Sequence, residues 1–210
     1  SQIITVTIAG ANDAAVITGT SVGSVTEDGT ITTSGSLSAT DVDSAVGFTA
    51  ANASGTYGDF AIDAIGAWTY TLRNADANVQ ALTSSQAPTE TFTVATSDGT
   101  THTITVTVNG ANEAPTAMVT AASGAEDSTI PVTLAASDSD GSIASFTITA
   151  LPANGTLSFN GVALVVGSTI AATANGATLS FTPNANWNGS TSISFTAVDN
   201  EGAISAPVTQ

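Results

Sequence analysis

The sequence predicts an all-β chain built as tandem antiparallel Greek-key β-sandwiches. Three observations carry this: Thr, Ser, Ala, Gly and Val dominate the composition, short apolar stretches alternate with small polar residues, and the chain repeats itself once.

Alternation marks the strands. It runs through Ile4, Val6 and Ile8, through Trp68, Tyr70 and Leu72, through Phe92 and Val94, and through Ile104, Val106 and Val108. It returns at Leu179 and Phe181 and at Ile193, Phe195 and Ala197, so each of these segments is expected to bury one face. Gly55, Gly66, Asp98-Gly99, Asn154-Gly155, Asn160-Gly161 and Asn175-Gly176 supply turns between them, because Gly and Asn accept the left-handed backbone that tight turns need. Asp76 to Leu82 is the only helical hint, a single turn between strands.

The repeat is read from Ile4 to Asp13, ITVTIAGAND, which returns as Ile104 to Glu113, ITVTVNGANE. Glu27-Asp28 returns as Glu126-Asp127, Asp41-Val42-Asp43 as Asp138-Ser139-Asp140, and Asp98-Gly99 as Asp199 followed by Gly202. A period of about 100 residues is the size of a whole sandwich domain rather than a solenoid coil, so the units are beads in series. In this phase residues 1–13 are the last strand and linker of a preceding repeat, 14–113 one sandwich, and 114–210 a second sandwich lacking most of its final strand. Residues 2–9 are then expected to pair with a neighbouring copy or to stay loose.

Charge narrows the partners. With a net charge of -16, one Arg (Arg73), one His (His102) and no Lys, the chain offers no surface for phosphate groups, which excludes nucleic acid. No cysteine is present, so neither disulfides nor thiolate metal sites can staple the fold. No apolar run approaches the ~20 residues of a membrane span, so direct membrane insertion is not expected; a secretion signal, if any, lies outside these residues. One His, no Cys and no nucleophile motif speak against an enzyme.

Of the 17 acidic residues, all but Asp59, Asp63, Asp76 and Glu90 fall within the recurring motifs. Two carboxylates about 4 Å apart repel by about 4 kcal/mol at an effective dielectric of 20. Without Lys to neutralise them, a bound cation is the economical solution. Oxygen donors alone, with no Cys and a single His, suit Ca2+ rather than zinc. The i, i+2 spacing of Asp41/Asp43 and Asp138/Asp140 sets both carboxylates of each pair on one side of an extended loop.

The order of these motifs resembles the calcium motifs of cadherins: Glu27-Asp28 early, Asp-x-Asp next, Asp98-Gly99 late, and Asn109 to Pro115 as linker. The first unit, with TEDGTITTSGSLSATDVD, GTYGDFAIDAIGAWTYTL and ETFTVATSDGTTHTITVTVNGANEAP, resembles a bacterial VCBS repeat. The second, with NGTLSFNG and LSFTPNANWNGSTSISFTAVDNEG, resembles the bacterial cadherin-like tandem repeat. The resemblance implies calcium at domain junctions and a setting in large RTX-type surface adhesins or biofilm proteins, extracellular and on the bacterial surface.

Carried residue by residue, it implies one junction using Glu27, Asp28, Asn109, Asn112, Glu113, Asp138, Asp140 and Asp199. It implies a second, at the leading end, using Asn12, Asp13, Asp41, Asp43 and Asp98, and it turns Glu126 and Asp127 toward a further domain. The sequence departs from the cadherin pattern at Asn112-Glu113, where an Asn-Asp pair is usual, and in mid-domain, where Asp76 is the nearest stand-in for an acidic motif. The expected function is a calcium-stiffened extender, with neighbouring repeats or like subunits as partners. A carbohydrate- or surface-binding module contacting cell-surface glycan is one alternative. A fibre subunit completed by strand exchange through residues 2–9 is another.

Overall fold

The computed structural model describes residues 2–210; Ser1, part of the expected leading segment, lies outside them. Two compact units are formed. The first runs to Val79 and takes in Ser85–Ala111, and the second takes Gln80–Ser84 and Asn112–Gln210. Among the described residues there is no helix, and hence none long and apolar enough to cross a membrane.

The first unit has eight strands: β1 (Val16–Gly19), β2 (Val22–Thr26), β3 (Thr32–Thr40), β4 (Ala51–Ser54), β5 (Gly58–Ile62), β6 (Ala67–Leu72), β7 (Thr89–Ala95) and β8 (Thr101–Asn109). They form a five-stranded sheet in the order β1-β3-β6-β5-β4 and a three-stranded sheet in the order β2-β8-β7. Period-two patterning drives the packing: Trp68, Tyr70 and Leu72 on β6 and Ile104, Val106 and Val108 on β8 are buried, while Thr69 and Thr71 between the first three are exposed and Thr105 and Thr107 between the others are half-buried. Phe60 and Phe92 stack between the sheets with ring centroids 4.6 Å apart. Trp68 turns its indole N–H to the Thr20 carbonyl at 2.7 Å, which satisfies its one polar group in the core.

The second unit has β9 (Thr116–Met118), β10 (Ile130–Ser137), β11 (Ile143–Ala150), β12 (Gly155–Phe159), β13 (Val162–Ala163), β14 (Thr169–Ala171), β15 (Gly176–Pro183), β16 (Ser194–Asp199) and β17 (Val208–Thr209). Its sheets run β13-β12-β15-β10-β9 and β14-β11-β16-β17. Leu134, Phe146, Ile148, Leu179 and Phe195 fill its core, with Phe146 and Phe195 meeting edge to face at 5.7 Å. The turns behave as their residues predict: Asn154, Asn160 and Asn175 all adopt positive φ.

Residues 2–9 form no strand, the loose state that is one of the two expected for them, because alternation creates a surface to bury and pairing needs a neighbouring edge as well. Two features depart from the sequence expectations. Asp76 to Leu82 is not helical. Successive turns, with Asp76 N–H donating to Arg73 and Val79 N–H to Asp76, instead drop Val79 and Leu82 into buried positions. The first unit also contains one parallel pair, β2 on β8 from Val22↔Thr105 to Thr26↔Asn109, within an otherwise antiparallel chain.

Candidate metal-binding carboxylate clusters

In the first unit, segments far apart in sequence bring their acidic residues to the residues that lead into β1. Asp41 and Asp43 follow β3, Asp98 sits in the turn between β7 and β8, and Asp13 precedes β1. Main-chain bonds tie them together. The Asp13 N–H donates to Asp43 Oδ2 at 2.9 Å, and the Ala15 N–H donates to Asp98 Oδ2 at 2.9 Å. Asp41 Oδ1 accepts the N–H groups of Asp43 and Ser44 at 2.7 and 2.9 Å, which folds the Asp-x-Asp loop back on itself. Its other oxygen, Asp41 Oδ2, is buried without a hydrogen-bond partner. The Thr96 hydroxyl, followed by the Thr100 N–H, holds the Asp98 carboxyl well below the usual carboxylate range. Asn12 donates to the Asp13 carbonyl at 2.8 Å and is otherwise exposed.

The second unit repeats the plan. Asp199, at the end of β16 and only 2% exposed, accepts the N–H groups of Glu201, Gly202 and Ala203 on Oδ1, and the Asn112 side chain on Oδ2 at 2.9 Å. Burial pushes its carboxyl up, but the Asn112 amide and the three main-chain donors outweigh that and hold it below the usual range. Asp138 and Asp140 follow β10, with the Asp140 N–H donating to Asp138 Oδ1 at 3.3 Å, and the Glu113 main chain stands beside the Asp140 carboxyl. Burial, then the adjoining Asp138 carboxyl, pushes Asp140 up to about 6.

Asp138 Oδ2 and both carboxylate oxygens of Asp140 are buried with no hydrogen-bond partner. Leaving charged acceptors buried and unpaired is costly, and native structures avoid it. Arg73 cannot relieve them, because it is engaged with Asp59 at 2.7 Å and Asp76 at 2.9 Å. Among the described residues no three His, Cys, Asp or Glu side chains form a ready metal cage. Calcium takes part of its shell of six to eight oxygens from carbonyls, amides and water, so a pair of carboxylates with open oxygens could supply only some of the ligands of one ion. The donor set, all oxygen with no positive group, fits a hard divalent cation.

The remaining candidates divide. Glu27 is 1% exposed: the parallel β2–β8 ladder carries it to the end of β8, where its N–H donates to the Asn109 carbonyl and its Oε2 accepts the Ala111 N–H at 3.2 Å. Asn109 spends its amide on Ser24 Oγ and the Val25 carbonyl, both at 2.8 Å, so its side chain braces β2. Asp28 and Asp127 occupy equivalent turns with positive φ. Asp28 is bridged by the Asn74 side chain and Asp127 accepts the Asn186 N–H at 2.8 Å, so both are exposed and fastened locally. Glu126, the counterpart of Glu27, is exposed. Asp76, the mid-domain stand-in, is the ion-pair partner of Arg73.

One buried acidic group escaped the sequence reading. Glu90 lies in the core, taking the Tyr70 hydroxyl in a short hydrogen bond and the Tyr57 N–H at 3.0 Å. Burial first, then Glu90, drives the Tyr70 phenol far above its ordinary value. The missed signal was Gly55 and Gly58, where a Cβ would collide with Glu90 and Tyr70.

Comparison with known proteins places each unit. Residues 12–110 match a family model described as bacterial cadherin-like domain, and residues 112–209 match one described as bacterial Ig domain. The first unit, VCBS-like to the eye, thus matches the cadherin-like model, and the second, cadherin-like to the eye, matches the Ig model. No curated protein sequence matches the chain. Among solved structures it is similar to the protocadherin gammaB4 extracellular domain, at 14% identity over 93% of this chain and 34% of that one, with a TM-score of 0.46. It is also similar to the human desmocollin-1 ectodomain, at 15% identity over 96% of this chain and 36% of that one, with a TM-score of 0.43. The chain spans about a third of the length of these ectodomains.

Proposed function

We propose that this chain, a bacterial cadherin-like domain followed by a bacterial Ig domain, is a calcium-stiffened extender segment of a secreted bacterial surface adhesin or biofilm matrix protein. The observation that carries the reading is the Asp138–Asp140 pair, with three buried oxygens that no donor meets in good hydrogen-bond geometry, only the Glu113 main chain and each other standing near, in a chain that has no Lys and whose one Arg is engaged elsewhere. Bound calcium would supply the positive charge that neutralises these groups. Asp138 and Asp140 would anchor it, while Asp199, locked by Asn112 and three main-chain N–H groups, holds the linker residue Asn112 against the second unit. Glu113 follows directly in sequence, and Glu27, Asp28 and Asn109 are assigned to the same linker region. Asp13, Asp41, Asp43 and Asp98, with Asn12, form the corresponding set at the start of the first unit, and Glu126 and Asp127 are assigned to a further neighbour.

An ion held by Asp138 and Asp140, beside the main chain of the linker residue Glu113, would restrict the angles that linker can take, and many such links in series would make a rod. The affinity range of extracellular calcium modules, roughly 0.1 to 1 mM, makes the rod responsive to its surroundings. An RTX-type adhesin built on VCBS-like repeats is the setting this reading favours. Small-angle scattering with calcium and with chelator tests it. The expected result is a longer, narrower distribution of maximum dimension with calcium, lost in the D138N/D140N double variant. An identical scattering profile in both media counts against the reading.

A further inference from the structure

Five Asn-Gly pairs occur in the sequence, at 109–110, 154–155, 160–161, 175–176 and 188–189. Asn followed by Gly is prone to ring closure, because Gly has no side chain to shield its main-chain nitrogen from the neighbouring amide. Closure needs the peptide plane between the two residues to rotate until that nitrogen reaches the Asn Cγ. A plane fastened by hydrogen bonds resists the rotation, and the fold divides the five pairs on this ground.

Three planes are fastened. The Gly110 N–H donates to the Gln86 carbonyl at 3.0 Å and the Asn109 carbonyl accepts the Glu27 N–H at 2.9 Å, while the Asn109 amide is spent on Ser24 and Val25. The Asn154 carbonyl accepts the Asn184 N–H at 2.9 Å, and Gly155 lies in β12 opposite Pro183. The Gly176 N–H donates to the Thr173 carbonyl at 3.1 Å, and the Asn175 carbonyl accepts the Ala136 N–H at 3.2 Å. Asn175 Oδ1 also accepts the Ile143 N–H at 3.0 Å, which holds its side chain away from the glycine.

The other two planes are open. Asn160 and Gly161 form the two-residue loop between β12 and β13, with φ of 50° and 78°, the pair of positive values that a type I′ hairpin turn requires. Asn188 and Gly189 lie in the loop that leads from Trp187 toward β16. All four residues are exposed, and among the described residues no hydrogen-bond partner meets either plane or either Asn side chain.

We propose that Asn160 and Asn188 are sites of spontaneous modification. The Gly main-chain nitrogen attacks the Asn Cγ and gives up its proton, the Cγ–Nδ2 bond breaks, and ammonia leaves behind a cyclic imide. Water then opens the ring at either carbonyl, giving aspartate, or isoaspartate with its main chain running through the side chain. The net change is the uptake of water, the release of ammonia and the gain of a negative charge; no oxidant or cofactor takes part. Isoaspartate at 160 lengthens the loop and disturbs the pairing of Phe159 with Val162. The only Asn-Gly of the first unit is the fastened 109–110, so the second unit alone gathers charge with age. The process does not depend on calcium.

Peptide mapping tests it: the intact chain is aged in its native state at neutral pH, then digested with pepsin in acid. The expected result is amide loss and isoaspartate at Asn160 and Asn188 at least about tenfold faster than at Asn109, Asn154 and Asn175, equivalent to about 1.4 kcal/mol. In denaturant, where the fold no longer separates the pairs, the five rates should converge. The N160Q/N188Q double variant should lose the native-state signal, since Gln must close a larger ring. Equal rates at all five pairs in the native chain, or native-state loss led by Asn109, Asn154 or Asn175, would overturn the proposal. So would native Asn160 and Asn188 that stay intact for as long as the three fastened residues do.

Discussion

Replacing Asp140 by Asn should stabilise the metal-free second unit and destabilise the calcium-loaded one. In the free protein, burial and the adjoining Asp138 raise the Asp140 carboxyl from the ordinary 3.8 to about 6. A folded-state value above the unfolded one means that the native state holds the proton more tightly. Any stabilisation from this group is therefore complete below about pH 4 and is lost as the pH rises through 6. At 1.36 kcal/mol per pK unit the difference corresponds to about 3 kcal/mol, and partial exposure of the residue screens this to about 1–2 kcal/mol. In chelator at pH 7.5, D140N should gain that amount, because the amide carries no charge to bury. In millimolar calcium the sign should reverse, since a ligand has been removed. Hydrogen exchange of the β10 and β16 amides reads the second unit alone, and 1–2 kcal/mol appears there as a roughly five- to thirtyfold change in protection. The parent in chelator should lose protection between pH 4.5 and 7.5, while D140N should lose much less. A variant less protected in both media, or a parent with no pH dependence over that interval, would refute the reasoning.

Tyr70→Phe leaves Glu90 in the core without its hydroxyl donor and should cost the first unit about 1–3 kcal/mol, measured by thermal unfolding; G55A, which drives a methyl group into the same carboxylate, should destabilise comparably. Phe195→Ala empties a fully buried site between β11 and β17 and should cost the second unit about 3–5 kcal/mol in denaturant unfolding, with exchange in the first unit unchanged. Asp98, held below its ordinary 3.8, contributes stability that is present above that value and lost as the pH falls below it. The first unit of D98N should therefore be weaker than the parent at neutral pH and should show a flatter acid-unfolding profile, followed by circular dichroism.

Much of this architecture was legible in the side-chain period. Trp68, Tyr70 and Leu72, or Phe195 and Ala197, alternate because one face must be buried, and they lie on β6 and β16 with that face inward. Of the Asp-x-Asp and Asp-Gly motifs, Asp43 and Asp98 each accept a main-chain N–H from the segment leading into β1, that of Asp13 and that of Ala15. Identical motifs did not guarantee identical fates. Glu27 is buried beyond β2, which is laddered to β8, whereas Glu126 is exposed beyond residues 119–125, which form no strand. Residues 2–9 carry a strand's alternation without forming one, since pattern specifies a face and pairing requires a partner. Glu90 was illegible because its neighbours Tyr57 and Tyr70 come from other strands and turns, with only two glycines to hint at the crowding.

Calorimetric titration of the intact chain with calcium at pH 7.5 is the most direct measurement. Saturable binding with a dissociation constant of roughly 0.1 to 1 mM is predicted, with part of the heat lost in D138N/D140N. No heat up to several millimolar calcium, or a profile indifferent to both substitutions, would mean that these carboxylates are held by something other than a divalent ion.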